Sequence, residues 1–160
     1  MADDSLSPKE IVREFFSAHN AKNEAAVRKT LAEGFVHRNH PAAEPEGTSV
    51  YGDLRDIDRY LEAEFAYLNV FPDLEYNLDV LLAEGDWVAC RWWTTVTHSG
   101  SSDGNDQSTV MASIEPTGEA ITFSGLNIFH IEDGKITEMW GSHDDIGLFK
   151  RLGIVDIPMW

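Results

Sequence analysis

The sequence predicts an α+β domain, with helices first and hairpin-linked antiparallel strands after them. Three observations carry this. Apolar residues recur at helical spacing in three segments before Pro72. From Leu74 the period changes to two. The later strand-like runs are joined by turn residues: Glu84-Gly85-Asp86, Pro116-Thr117-Gly118 and Asp133-Gly134.

The first helix opens at Ser7-Pro8-Lys9-Glu10, a capping box with proline at the first helical position. Ile11, Val12, Phe15 and Phe16 form its apolar stripe, and His19 continues that stripe at its edge. Asn23 caps a second helix in which Val27 and Leu31 face inward and Gly34 supplies the stop. The segment FVHRNHP then ends at Pro41, and residues 42–52 read as an irregular loop. Asp53 caps a third helix with the stripe Leu54, Ile57, Leu61, Phe65 and Leu68.

Leu74, Tyr76, Leu78, Val80 and Leu82 then alternate with polar residues as a first strand, followed by the β-branched and aromatic strand WVACRWWTTVTH. SGSSDGNDQ is small and polar enough for a hairpin tip, and Gln107 to Glu115 reads as a further strand. Two strands flank Asp133-Gly134, and a short helix containing Ile146, Phe149 and Leu152 closes the domain. Ile121, Phe123, Asn127, Phe129 and Ile131 share one strand face, while Leu126 and Ile128 make the opposite face apolar too. Two apolar faces imply that one is covered by helices and the other by a second subunit, hence a homodimer through the sheet.

A two-residue turn at Asp133-Gly134 would set Asn127 on the side of Trp140. A bulge at Gly134 would set it beside Met139, Gly141 and His143. The pattern leaves both open.

At 160 residues the chain matches one domain spanning 1–160. A formal charge of −16 and a pI near 4.5, with no basic patch, argue against nucleic acid as a partner. The N-terminus lacks a basic start and an apolar core, and no run of apolar residues is long enough for a membrane span, so a cytoplasmic location is expected. Cys90 stands alone in a strand and reads as a small buried hydrophobe. His37 and His40 do not by themselves make a metal site, which needs about three protein ligands. No cofactor motif is present: there is no phosphate loop, no nucleophile elbow and no H-E-x-x-H pair.

What remains is a set of imidazole, amide and carboxylate groups along an aromatic-rich sheet: His98, Asn127, His143, Asp144 and Asp145, with Asn39 and His40 in the FVHRNHP segment. Such groups suit acid/base chemistry on an apolar carbonyl compound, because a site of low polarity shifts pKa values and strengthens hydrogen bonds to a developing oxyanion. Competing readings are structural. Asp144 or Asp145 can cap the last helix, His98 can be an exposed strand end, and His143 can simply close the sheet edge. An amide in the middle of an apolar strand face needs a partner, whether structural or ligand, which singles out Asn127.

Phe71-Pro72-Asp73-Leu74, AEGDWVACRW, His98-Ser99-Gly100, Pro116-Thr117-Gly118 and FHIEDGKITEMW…DDIGLFKRLG together resemble the SnoaL-like polyketide cyclases of the nuclear transport factor 2-like superfamily. The resemblance implies a cone-shaped curved antiparallel sheet wrapped around the N-terminal helices and enclosing an apolar pocket. It implies cofactor-free chemistry, in which an aspartate deprotonates a polyketide carbon before an intramolecular aldol closure. That aspartate would directly follow Trp140, where this chain has Gly141, and the family's pocket histidines match Asn127 and Met139.

On this reading His143, Asn127, His40 and Asp144 are the catalytic candidates. Asn39, Trp92, His98, Phe123, Phe129, Met139 and Gly141 would contact a hydrophobic small molecule. Two functions follow. One is a proton-transfer enzyme with a relocated histidine, carrying out cyclisation, isomerisation or dehydration. The other is a binding or accessory protein that lost turnover with the aspartate.

Overall fold

Glu10 accepts hydrogen bonds from the Ser7 backbone N–H at 2.7 Å and from its hydroxyl at 2.6 Å, so the first helix starts where its capping residues place it. The computed structural model describes residues 6–38, 53–100 and 114–158. In chain order these form α1 (Pro8–Asn20), α2 (Glu24–Thr30), β1 (Leu31–Arg38), α3 (Ile57–Val70), β2 (Asn77–Glu84), β3 (Trp87–Thr97), β4 (Ala120–Glu132), β5 (Lys135–His143) and α4 (Asp145–Arg151). The strands build one curved, open sheet in the order β1-β5-β4-β3-β2.

The α+β architecture is as expected, with one correction. The sheet is mixed, because β1 runs parallel to β5. Leu31 to Gly34 were expected to finish the second helix, yet α2 stops at Thr30 and the chain goes straight into a strand. Phe35 and Val36 explain the change: both are buried, and strand pairing with β5 buries them where another helical turn would not. The third helix also starts later than expected. Asp56 caps it by accepting from the N–H groups of Asp58 and Arg59, while Leu54 pairs with His37 in an isolated bridge. Asp53 instead joins the ion pairs of Arg38 and Arg55.

Bulges bend the sheet and change which side chains face in. In β2 the register slips between Leu78 and Val80, so the simple alternation fails: Leu78 and Leu81 are half-buried, while Val80 and Leu82 turn outward. At the last hairpin Asp133 and Gly134 both take positive φ (48° and 73°), the two-residue turn, and Glu132 pairs with Lys135. The register then shifts at Thr137, so that His130 pairs with Glu138 and Asn127 with Gly141. The extra residue sits in β5 and not at Gly134, yet Asn127 ends on the face of Met139, Gly141 and His143.

Helix α1 lies on the inner face of the sheet, where Phe15 and Phe16 meet the fully buried Phe129 edge-on at 5.5 Å and 6.0 Å. Each fully buried aromatic ring contributes roughly 2–3 kcal/mol of transfer free energy. The expected strand over Gln107 to Glu115 lies mostly outside the described residues, and Ile114 and Glu115 are not strand. Among the described residues no helix is long and apolar enough to cross a membrane.

Candidate active site

Between α1, α3 and the inner face of the sheet lies a hollow of about 30 Å³ lined by Phe15, Phe16, His19, His37, Tyr60, Glu64, Tyr76, Trp92, Asn127, Met139 and His143. A space of that size accommodates about one water molecule. A second hollow of about 10 Å³ shares His19, Glu64 and Tyr76 with the first, so these three side chains form the partition between them.

Asn127 sits in the floor and is nearly fully buried. Its Oδ1 accepts from the Trp92 indole Nε1–H at 2.6 Å, and its Nδ2 donates to the Trp140 carbonyl at 3.0 Å. The amide therefore locks the indole to β5, and most of its hydrogen-bonding capacity is used structurally. Gly125 makes room for that indole, since a Cβ there would fall 2.7 Å from Trp92 Cε2. Asn127→Ala should lower stability by about 1–3 kcal/mol by leaving the buried indole N–H without an acceptor. The urea midpoint measures this, and an unchanged midpoint would show that Trp92 is held by packing alone.

Gly141 lies directly opposite Asn127. A Cβ built on it would stand 3.3 Å from His143 Nε2 and 3.7 Å from His37 Nε2. Two imidazoles, one from β1 and one from the end of β5, thus converge on the spot that a side chain at 141 would occupy. Burial lowers the pKa of His37 to about 4, reinforced by His143 and opposed by Asp53. His143 keeps an exposed edge, yet the protein around the rest of its ring lowers its pKa as well, with Asp145 pulling the other way. Both shifts favour the neutral imidazole.

The helix side of the hollow carries groups the sequence reading did not single out. Glu64 has its pKa raised by desolvation to about 7. Tyr60 and Tyr76 are raised well above 10 and keep their protons. His19 donates from Nδ1 to the Phe15 carbonyl at 2.9 Å and is lowered by burial to about 4, so it is neutral with an acceptor lone pair on Nε2. His19 Nε2 and the Tyr60 hydroxyl are buried with no hydrogen-bond partner among the described residues. A signal for Glu64 was present: it follows Leu61 by three residues and precedes Leu68 by four, a carboxyl inside an apolar stripe.

Other candidates fall elsewhere. Asp144 caps α4, accepting from the Gly147 N–H at 3.0 Å, and so fills the structural role. His98 is not exposed: it is wholly buried away from the hollow, accepts from the Thr117 N–H at 3.2 Å and packs on Phe71. Phe123 and Phe129 stand behind the lining, against Trp92 and the α1 phenylalanines respectively. Trp92 and Met139 line the hollow. Asn39 and His40 lie outside the described residues. Cys90 is buried, and its thiol is pushed up to about 11, so it stays a thiol.

Helices laid into a bent, open sheet around a small hollow with polar groups on two walls define an α+β cone with an internal site. The chain belongs to the SnoaL-like polyketide cyclase family, whose sequence profile matches residues 9–152. Among solved structures it is similar to AclR, a candidate hydroxylase from Streptomyces galilaeus (26% identity, 94% of this chain and 84% of that one, TM-score 0.72). It has the fold of IdmH, a candidate polyketide cyclase from Streptomyces antibioticus (23% identity, 92% and 99% coverage, TM-score 0.72). It also has the fold of a candidate SnoaL-like polyketide cyclase from Jannaschia sp. CCS1 (18% identity, 98% of both chains, TM-score 0.73). No curated protein sequence matches it.

Proposed function

We propose that the protein is a cofactor-independent enzyme that moves a proton on a hydrophobic, polyketide-like carbonyl compound, leading to cyclisation, isomerisation or dehydration. The observation that carries this reading is the convergence of His37 and His143 Nε2 beside Gly141. Neutral imidazoles can donate N–H hydrogen bonds to a carbonyl oxygen and strengthen them as it becomes an enolate, without bringing in a competing charge. Trp92, Met139 and Phe16 supply the apolar surroundings that make such bonds stronger than in water. The two hollows, about 30 and 10 Å³, are together much smaller than a ring compound, so admission of one requires the helix wall that carries His19, Glu64 and Tyr76 to move away from the sheet.

The test is deuterium exchange at the carbons beside the carbonyl of β-tetralone in D2O, followed by proton NMR. Exchange above buffer that falls about 100-fold in the His37→Ala, His143→Ala double variant is expected. Binding of β-tetralone with no exchange would favour the accessory reading instead, in which the loss of the aspartate at 141 left a binder.

The proposal extends to quaternary structure. Val80, Leu82, Trp87, Trp93, Leu126 and Ile128 are each 40% or more exposed on the outer face of the sheet, an apolar patch that a monomer rarely leaves to water. A second copy of the chain related by a two-fold axis would cover it. Light scattering at micromolar concentration should give twice the 17.9 kDa chain mass, and Leu126→Glu should reduce it to the monomer. A monomeric mass for the unmodified protein rules the dimer out.

A further inference from the structure

The histidines account for the oxygen of a bound carbonyl compound and leave the carbon proton unassigned. Burial makes His37 a weak base, with its pKa lowered to about 4, and the protein around His143 lowers the basicity of that ring too. On the other wall, Glu64 projects from α3 into both hollows. No hydrogen bond or ion pair to its carboxyl is found among the described residues. Elsewhere around it stand Tyr60 on the same helix, Tyr76 ahead of β2 and His19 on α1, with His37 and His143 on the sheet side. None of these is a cation at neutral pH, so nothing on the lining pairs off the carboxylate.

We propose that Glu64 is the general base of this site, taking the proton from the carbon next to the carbonyl while His37 and His143 hold the oxygen. This rests on the reading of the hollow as a carbonyl site. In the step the C–H bond breaks, its electron pair moves into the C=C bond of the enolate, and the proton becomes the O–H of the Glu64 carboxyl. Return of that proton to carbon or to a leaving hydroxyl regenerates the carboxylate, so no oxidant, reductant or second substrate is needed. Burial lifts the basicity of this carboxyl into the neutral range, which matches its protonation state to the task. The unpartnered Tyr60 hydroxyl and His19 Nε2 line the same wall and are able to take up a substrate hydroxyl beside the reacting carbon.

The experiment is β-tetralone deuterium exchange by the unmodified protein, Glu64→Gln and Glu64→Asp, from pH 5 to 9, with ketone binding read separately by tryptophan quenching. The expected result is a rate for the unmodified protein that rises with pH through a midpoint near 7. Glu64→Gln should lose about 100-fold or more in rate, and with it the rising limb, while binding changes less than threefold. Glu64→Asp, a shorter carboxylate, should keep part of the rate and the limb. If Glu64→Gln exchanges as fast as the unmodified protein with the same limb, Glu64 is not the base, and the carbonyl-site reading stands without it. If the unmodified protein binds the ketone and never exchanges it, the site reading fails and this assignment falls with it.

Discussion

Glu64→Gln is expected to make the protein more stable at pH 8, by up to about 3 kcal/mol, and to leave it unchanged near pH 4.5. Desolvation raises the carboxyl from 4.5 to about 7 in the fold, so the fold favours the protonated form. Below the unfolded value both states are protonated and the group contributes nothing. As pH rises towards 7 the unfolded chain ionises first, and stability falls. Above 7 the fold carries a desolvated carboxylate, at a cost of roughly 1.4 kcal/mol per pKa unit. Glutamine has the same shape and never ionises.

The buried histidines have the opposite dependence. His19 and His37, lowered from 6.5 to about 4, leave stability intact above pH 6.5 and remove it progressively as pH falls towards 4. In the unmodified protein the Glu64 gain partly offsets that loss. In Glu64→Gln the acid fall should therefore be steeper. Urea unfolding at several pH values between 4.5 and 8.5 reads both effects. Equal stability of the two proteins at pH 8 would mean that Glu64 is hydrated and not held in an apolar wall.

The second large effect is expected at Gly141. Gly141→Asp would set a carboxylate within reach of His37 and His143 Nε2, since even the Cβ lies 3.7 Å or less from both. An anion at that range should raise the two histidine pKa values by about 1–3 units, which takes His37 from about 4 to roughly 5–7 and moves the onset of imidazolium formation towards neutral pH. Gly141→Ala is the control, with the same Cβ and no charge. Its Cβ would stand 3.0 Å from Asn127 Nδ2, so a shift of a few tenths of an ångström in the amide is expected in both variants. Histidine NMR titrations distinguish them. Unmoved histidine pKa values in Gly141→Asp would show that the imidazoles do not meet at this position.

Where side chains follow a simple period, the sequence is a faithful guide. The Ser7 capping box, the alternation of β4 from Ile121 to Ile131 and the cap at Asp144 all stand where local chemistry places them. The errors come from tertiary effects. β1 escapes recognition because its parallel pairing with β5 spans about a hundred residues, and nothing local announces it. Val80 and Leu82 turn outward because a bulge changes the phase of β2. At the site, spacing could place Asn127 on the right face only after the register shift at Thr137 was known. Glu64 and Tyr60 were hidden by their flanks, since a helical stripe chosen for its apolar residues passes over the polar ones within it. His98 shows the reverse: a histidine beside a polar loop is wholly buried once Thr117 folds back onto it.

The decisive measurement is a crystal structure of the protein with β-tetralone bound. The ketone is expected between α3 and the inner face of the sheet, its oxygen within hydrogen-bonding distance of His37 and His143 Nε2 and a neighbouring carbon facing the Glu64 carboxyl. A ketone seated on the outer face of the sheet, or in the hollow with its oxygen turned to α3, would contradict it.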